Sequence, residues 1–450
     1  MLHRFIKLIC MLLGLAIFQS VVAQEKPKHV VVISIDGFRP EFYMDSSMPT
    51  PNLQEMFREG VAAKEVTGIF PTVTYPSHTT LITGTTPKEH GIYYNTLIKE
   101  DGSAGGWVYD FREIKSKTLW QAAKEKGLVT ASVSWPVSVN AQYIDYNIPE
   151  FWSFENPMDR RGATSEKANP KGLFEEVVKN ATGTLEINDY NLSSLTMDQN
   201  LARIAGYLLR KYRPNLLTIH LPITDGAQHR QGRKGLMVRK AIAGADNAIG
   251  VIRDALQKAG IEKETTIIVT GDHGFVDVHT QIAPNVLLAQ HGLYEKKGGR
   301  PKAFFFSAGG SAFLHLRDEN DEETLERIQQ LFEELPIEIR STFDIVNRDQ
   351  IAIRGGDPRV RLALTAQRGY SFSNDTEGSL MTYKKGGKHG YYPNFHDIAT
   401  GFVGDGKGMQ KGEVIENMYL EDVGKIVASL LQLQLNQDPN FYHSTLKNGN

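Results

Sequence analysis

Short apolar runs alternate along this chain with longer stretches of helical periodicity. Residues 30–35, 129–134, 216–221 and 265–270 are dense in Val, Ile, Leu and Thr. Unbroken runs of that length, bounded by polar residues, predict strands buried on both faces. Between them, Leu53, Met56 and Phe57 give one apolar face to a helix that starts at Thr50-Pro51 and stops at Gly60. Thr suits the cap, Pro the first turn and Gly the exit. Further helices are expected over 118–127, from Thr196 to Arg213 ahead of Pro214, over 240–258 closed by Gly260, and over 420–433. The segment Thr196-Met-Asp-Gln199 reads as a capping box. This alternation predicts an α/β fold, with a mostly parallel central sheet and helices on both faces.

Two stretches break the alternation. Residues 141–194 are rich in Asn, Pro, Gly and charge, and read as a surface excursion bordering the site. Residues 303–373 carry short strands around one acidic amphipathic helix at 321–335, a small α+β cap insertion. The catalytic core is expected in two parts, 24–302 and 374–450, with the core pattern resuming at Met381 and a polar C-terminus that frays.

The N-terminus changes the compartment. Arg4 and Lys7 precede an apolar run at 9–18, and Val21-Val22-Ala23 offers a small-residue cleavage site. Residues 1–23 are therefore expected to be a signal peptide, with an uncleaved anchor as the alternative, and the protein to be exported to a periplasm or secreted. No stable membrane anchor is expected after cleavage. Cys10, the single cysteine, lies inside this leader. The mature chain can use neither disulfides nor thiol catalysis, and any zinc must be held by Asp, His and hydroxyl oxygen. Over 450 residues the net charge is only −2 and 41% of residues are hydrophobic. That balance supports a sizeable core and gives no sign of a nucleic-acid-binding surface. The oligomeric state is left open.

Ligand-type side chains collect where predicted strands end. Asp36 follows 30–35, Asp225 and His229 follow 216–221, and Asp272 and His273 follow 265–270. Ligands bind beyond the carboxyl ends of strands in an open α/β sheet. Taken singly, each loop has a plain explanation. Thr72, Thr74 and Ser77 could belong to a hydroxyl-rich turn. Asp225 could be a capping residue with His229 on the surface, Gly271-Asp-His-Gly274 a tight turn, and Gly386-Gly-Lys-His-Gly390 a flexible loop. Together they supply three Asp, three His (with His389) and a threonine. Two zinc ions would take three or four protein ligands each, and paired metals suit in-line phosphoryl displacement.

The ordered set Ile33-Ser-Ile-Asp-Gly37, Phe70-Pro-Thr-Val-Thr-Tyr-Pro-Ser77, Leu81-Ile-Thr-Gly84, His90-Gly-Ile92, Trp135-Pro136, Asp225/His229, Asp272-His273-Gly274 and His389-Gly390 resembles the nucleotide pyrophosphatase/phosphodiesterase family of the alkaline phosphatase superfamily. The resemblance implies an alkaline-phosphatase-like fold and a phosphodiesterase that acts on a small phosphodiester or nucleotide. It implies Thr74 as nucleophile, one zinc on Asp36, Thr74, Asp272 and His273, and a second on Asp225, His229 and His389. It further implies Asn95 as the amide supporting the phosphoryl oxygens, Tyr75 as an aromatic that stacks on the base, a structural His90, and a phosphothreonine intermediate. The opposite aromatic wall would come from Trp152, Phe154 or Tyr143. Ser77 and Gly271 stand where the family often has Asn and Ser. Related monoesterases carry a Lys-x-Arg pair where this chain reads Ser132-Val-Ser-Trp-Pro136, which favours diesters. Lys384, Lys385 and Lys388 flank His389. The alternatives are a phosphomonoester, phosphonate or sulfate-ester hydrolase of the same superfamily, or an inert binding protein on this scaffold.

Overall fold

The structure, a computed structural model, describes residues 26–297, 299–435, 443 and 446. The expected leader lies outside them. Eight strands form the central sheet: β1 (His29–Ile35), β2 (Val61–Thr67), β3 (Thr130–Val133), β4 (Tyr146–Ile148), β5 (Leu216–Leu221), β6 (Thr265–Gly271), β7 (Thr400–Gly406) and β8 (Glu413–Tyr419). Their order is β8-β2-β7-β6-β1-β5-β3-β4. Only β7 runs against its neighbours, β2 and β6; every other pairing is parallel, so the sheet is mostly parallel as expected.

The period-two alternation of β1 sorts the two helical layers. Val31, Ile33 and Ile35 pack with α4 (Met197–Tyr212) and α6 (Leu236–Ala259), beside α1 (Pro51–Glu59). Val30 and Val32 face the other layer, made of α2 (Thr74–Thr83), α3 (Leu119–Glu125) and α8 (Leu420–Leu431). All seven residues of β1 are buried, and each large apolar side chain so placed is worth about 1.5–3 kcal/mol.

Register decides where the strands deliver their end residues. Ile35 pairs with Leu221 on one side and with Gly271 on the other. The residues that follow, Asp36 and Asp272, therefore emerge next to each other. After β5 the chain turns at once into α5 (Ile223–Gln231), which carries Asp225 and His229 one helical turn apart.

Several local expectations are corrected. Thr50 does not cap α1; its hydroxyl donates to the Phe42 carbonyl instead. Nor does Thr196 form a capping box, because its hydroxyl reaches the Asn188 carbonyl and the Gln199 amide reaches Gly244. In both cases a tertiary acceptor wins over the local backbone. Helix α6 begins at Leu236 rather than 240, a start that buries Val238 on the same face as Ile242. Residues 141–194 hold more structure than their weak periodicity suggests. They include β4, and they bury Leu173, Phe174, Val177, Leu185 and Tyr190 in the core.

Beyond β6, besides the short antiparallel pair Lys296–Lys297 and Arg300–Pro301, the described residues form a four-stranded and a three-stranded sheet. Strands Ala303–Ser307, Ser311–Leu316, Leu362–Ala366 and Phe343–Asn347 make an antiparallel sheet beside α7 (Glu322–Glu333), which Asp321 caps through the Thr324 amide. Met381–Lys388 does not rejoin the central sheet. It pairs with Val276–Ile282, which also carries Gly369–Phe372, and it delivers His389 at its end. The central sheet is rejoined only at Thr400. Among the described residues, no helix is long and apolar enough to cross a membrane.

Candidate metal centre and active site

Six of the expected ligands gather into two sets: Asp36, Asp272 and His273; and Asp225, His229 and His389. Within each set the candidate ligand atoms lie within 4.8 Å of one another. His273 Nε2 is 3.2 Å from Asp272 Oδ2 and 3.5 Å from Asp36 Oδ1. Asp225 Oδ1 is 3.2 Å from His229 Nε2 and 3.7 Å from His389 Nε2. The rings of His273 and His389 stack with centroids 3.7 Å apart, so the two sets adjoin.

Each imidazole is tied at one nitrogen. Nδ1 of His229, His273 and His389 faces the carbonyls of Gly387, Gly274 and Thr72 at 3.0, 3.1 and 3.0 Å. A nitrogen opposite a carbonyl must donate, which leaves Nε2 with its lone pair toward the centre. Two of the carboxylates, Asp272 and Asp36, follow the same rule. Asp272 Oδ1 accepts from the backbone amides of Gly37 and His273, while Oδ2 is free. Asp36 Oδ2 meets His220, while Oδ1 is free. Buried polar atoms rarely go without partners. Here Asp36 Oδ1, Asp225 Oδ1, Asp272 Oδ2 and His273 Nε2 are all buried, and they converge without hydrogen bonds. Burial, then the charges of Asp272 and Asp225, push the Asp36 carboxyl well above its usual range. Burial resists ionisation of Asp225 too, but His229, His389 and His273 outweigh it and hold the group low. Burial lowers the His273 imidazole to about 4 and takes His389 down as well. Imidazoles with Nε2 turned inward, clustered carboxylates and unpartnered inward atoms fit divalent-cation binding through N/O ligands.

Glycine makes the last loop possible. Gly390, after His389, has φ +89°, and a Cβ there would sit 1.8 Å from the Ala308 carbonyl oxygen.

Thr74 occupies the first turn of α2, every residue of which is buried. The Thr74 carbonyl meets His78 Nδ1 at 2.8 Å, and the same nitrogen is 3.8 Å from Asp272 Oδ2, which ties the helix start to the first ligand set. The next amide, Tyr75 N, donates to Asn95 Oδ1 at 2.8 Å. Thr72 is spent structurally: its hydroxyl donates to the Tyr391 carbonyl and accepts from Gly390 N. Its side chain is therefore engaged in holding the His389 loop. His90 is likewise tied into the fold, accepting from Ile92 N and meeting the Thr80 hydroxyl.

Tyr75 departs from expectation. Its ring is fully buried, covered by Trp107 at a centroid distance of 5.0 Å, and its hydroxyl donates to Glu150 at 3.2 Å. It presents no open face for a base, so the stacking role does not fit this arrangement. Of the three aromatics expected opposite it, Trp152 joins the cluster, packing on Trp107 and Tyr109. Tyr143 packs on Phe111, and Phe154 is exposed. Sequence reasoning missed Trp107, Tyr109, Glu150 and His220. The last had a visible signal, an imidazole inside an otherwise apolar buried run.

Comparison with known proteins places the chain in a family. The family profile described as "Type I phosphodiesterase / nucleotide pyrophosphatase" matches residues 30–392. Rat ectonucleotide pyrophosphatase/phosphodiesterase family member 3 is 23% identical over 429 residues, covering 90% of this chain and 42% of the relative. Human family member 7 is 26% identical over 264 residues, 57% of this chain and 50% of the relative. The chain thus spans half or less of the length of these relatives. Among solved structures, human ectonucleotide pyrophosphatase/phosphodiesterase 5 superposes with a TM-score of 0.64 at 19% identity, over 91% of this chain and 96% of that one. An inactive threonine-to-alanine variant of the murine protein, in complex with AMP, gives 0.64 at 20% identity over the same shares. With the profile matching most of its length, this chain belongs to the type I phosphodiesterase / nucleotide pyrophosphatase family.

Proposed function

We propose that this protein is an exported, two-zinc phosphodiesterase or nucleotide pyrophosphatase that works through a phosphothreonine on Thr74. The observation that carries this reading is the pair of adjoining Asp/His sets, whose inward atoms lack partners, beside the start of α2. Asp36, Asp272 and His273, with Thr74, would hold one zinc, and Asp225, His229 and His389 the other. When bound, the pair would lower the barrier to ionising the Thr74 hydroxyl and offset charge on the phosphoryl oxygens.

The chain's own residues supply the rest. The Thr74 oxygen attacks phosphorus; the new O–P bond forms as the bond to the leaving alcohol or phosphate breaks. Water then cleaves the phosphothreonine and restores the hydroxyl. Asn95, whose Oδ1 is held by the Tyr75 amide, keeps its NH2 group for a non-bridging oxygen. The amides at the start of α2 favour negative charge at the same place. The family name and the AMP complex of the murine neighbour support a nucleotide or other small phosphodiester as substrate. The absence of a cation in Ser132-Val-Ser-Trp-Pro136 supports diester over monoester. Residues 303–373 are read as a cap inserted in the catalytic core, and residues 1–23 as a cleaved leader.

The test is kinetic. Purified protein should hydrolyse an aryl phosphodiester with a higher kcat/KM than the matching monoester. Dominant monoester turnover would replace this reading with a phosphomonoesterase.

A further inference from the structure

His220 lies in the middle of the central sheet, where buried parallel strands are normally apolar. Its strand β5 is buried throughout. Alternation sends Leu217, Ile219 and Leu221 to one helical layer. Thr218 and His220 therefore point to the opposite face, the face of α2, where Thr218 meets Ser132 at 3.0 Å. His220 is 1% exposed, and its two ring nitrogens face two carboxylates. Nε2 is 3.2 Å from Asp36 Oδ2, and Nδ1 is 2.9 Å from Glu150 Oε2. Nδ1 also lies 3.2 Å from the Ser134 carbonyl. Glu150 is buried as well, and its other oxygen accepts from the Tyr75 hydroxyl at 3.2 Å.

This arrangement differs from the support of Asp272, whose outer oxygen is fixed by backbone amides alone. A carboxylate that ligates through one oxygen can turn about its last torsion, and the partner of its other oxygen decides which atom faces the ion. For Asp36 that partner is a side chain delivered from the neighbouring strand, next to its own strand's Ser34 in register. The imidazole pays a desolvation penalty in this site that only polar partners can offset.

We infer that His220, anchored by Glu150, is the positioning residue that presents Asp36 Oδ1 to the metal, and that Glu150 links this ligand to Tyr75, whose amide orients Asn95. One buried chain, Asp36–His220–Glu150–Tyr75, then sets both a ligand of the centre and the residue next to the nucleophile. His220 touches no substrate in this account; it acts through Asp36. The inference rests on the two-metal reading given above.

The experiment compares wild type with His220→Leu, His220→Gln and Glu150→Gln. Zinc content, the rate of zinc release to a colorimetric chelator, and kcat and KM on an aryl diester are measured, with circular-dichroism melting as the check on folding. His220→Leu should release one of its two zinc ions about 10–100-fold faster and lose kcat by a similar factor, with KM little changed. His220→Gln, which can still offer an N–H to Asp36, should recover part of both. Glu150→Gln should weaken the same zinc by a smaller factor and remain informative if the leucine variant does not fold. If wild type holds two zinc ions and folded variants release them at the wild-type rate, the positioning role is wrong while the metal reading stands. Wild type without two zinc ions would instead overturn the metal reading, and with it the ion that His220 is meant to serve.

Discussion

The ligand cluster and the aromatic cluster beside it are built on opposite rules. In the first, Asp36, Asp272 and the three imidazoles each have one atom tied to the protein, and four buried inward atoms have no partner. In the second, the rings pack on one another. Tyr75 packs on Trp107, Trp107 on Trp152, Tyr109 on Phe151, and the Arg160 guanidinium lies 4.2 Å over the Trp152 ring. One region is assembled to receive something, the other to hold its own shape. Ligand-side substitutions should therefore cost activity with little stability, and aromatic-side substitutions the reverse.

The largest effect expected is that of Thr74→Ala. Turnover should fall about a thousandfold or more, as for loss of a nucleophile, with metal content and melting temperature unchanged. Full activity in this variant would remove Thr74 from the mechanism. Next comes Tyr75→Ala. Emptying a fully buried aromatic site should destabilise the protein by about 3–5 kcal/mol in denaturant titration, while zinc content stays at the wild-type level. Wild-type stability would mean that the cluster is not the packed unit described.

That division also separates what was legible from what was not. The gathering of the six Asp and His residues was readable because each follows a strand or sits beside a glycine, and parallel register carries Asp36 and Asp272 to one edge. The sheet and most helix bodies were readable for the same reason: periodicity is a local signal. The Thr50 and Thr196 caps failed because carbonyls eight residues upstream compete for their side chains. The aromatic cluster could not be read, since Tyr75, Trp107 and Trp152 meet only through tertiary packing. His220 was hidden differently. Its chemistry was plain, but its partner Glu150 comes from a stretch with no periodicity of its own.

A smaller effect concerns pH. Burial lowers His90 to about 3, and its Nδ1 accepts from Ile92 N. The unfolded chain, with an ordinary histidine, binds that proton first as pH falls. Stability should therefore decline as pH drops from about 6.5 toward 3, and should not depend on this group above 6.5. Melting curves across that range should have a shallower slope in His90→Gln; an unchanged slope would mean that His90 is not buried neutral. The smallest effect is that of Tyr75→Phe, which removes only the hydrogen bond to Glu150. It should cost about 1 kcal/mol of stability and leave zinc content intact.

In the proposed mechanism two metal ions sit side by side against Thr74. An anomalous-difference map at the zinc edge, from crystals of the protein purified with zinc, tests it most directly. Two peaks are expected, one bounded by Asp36, Asp272, His273 and the Thr74 hydroxyl, the other by Asp225, His229 and His389. A single peak, or two peaks away from these side chains, would contradict it.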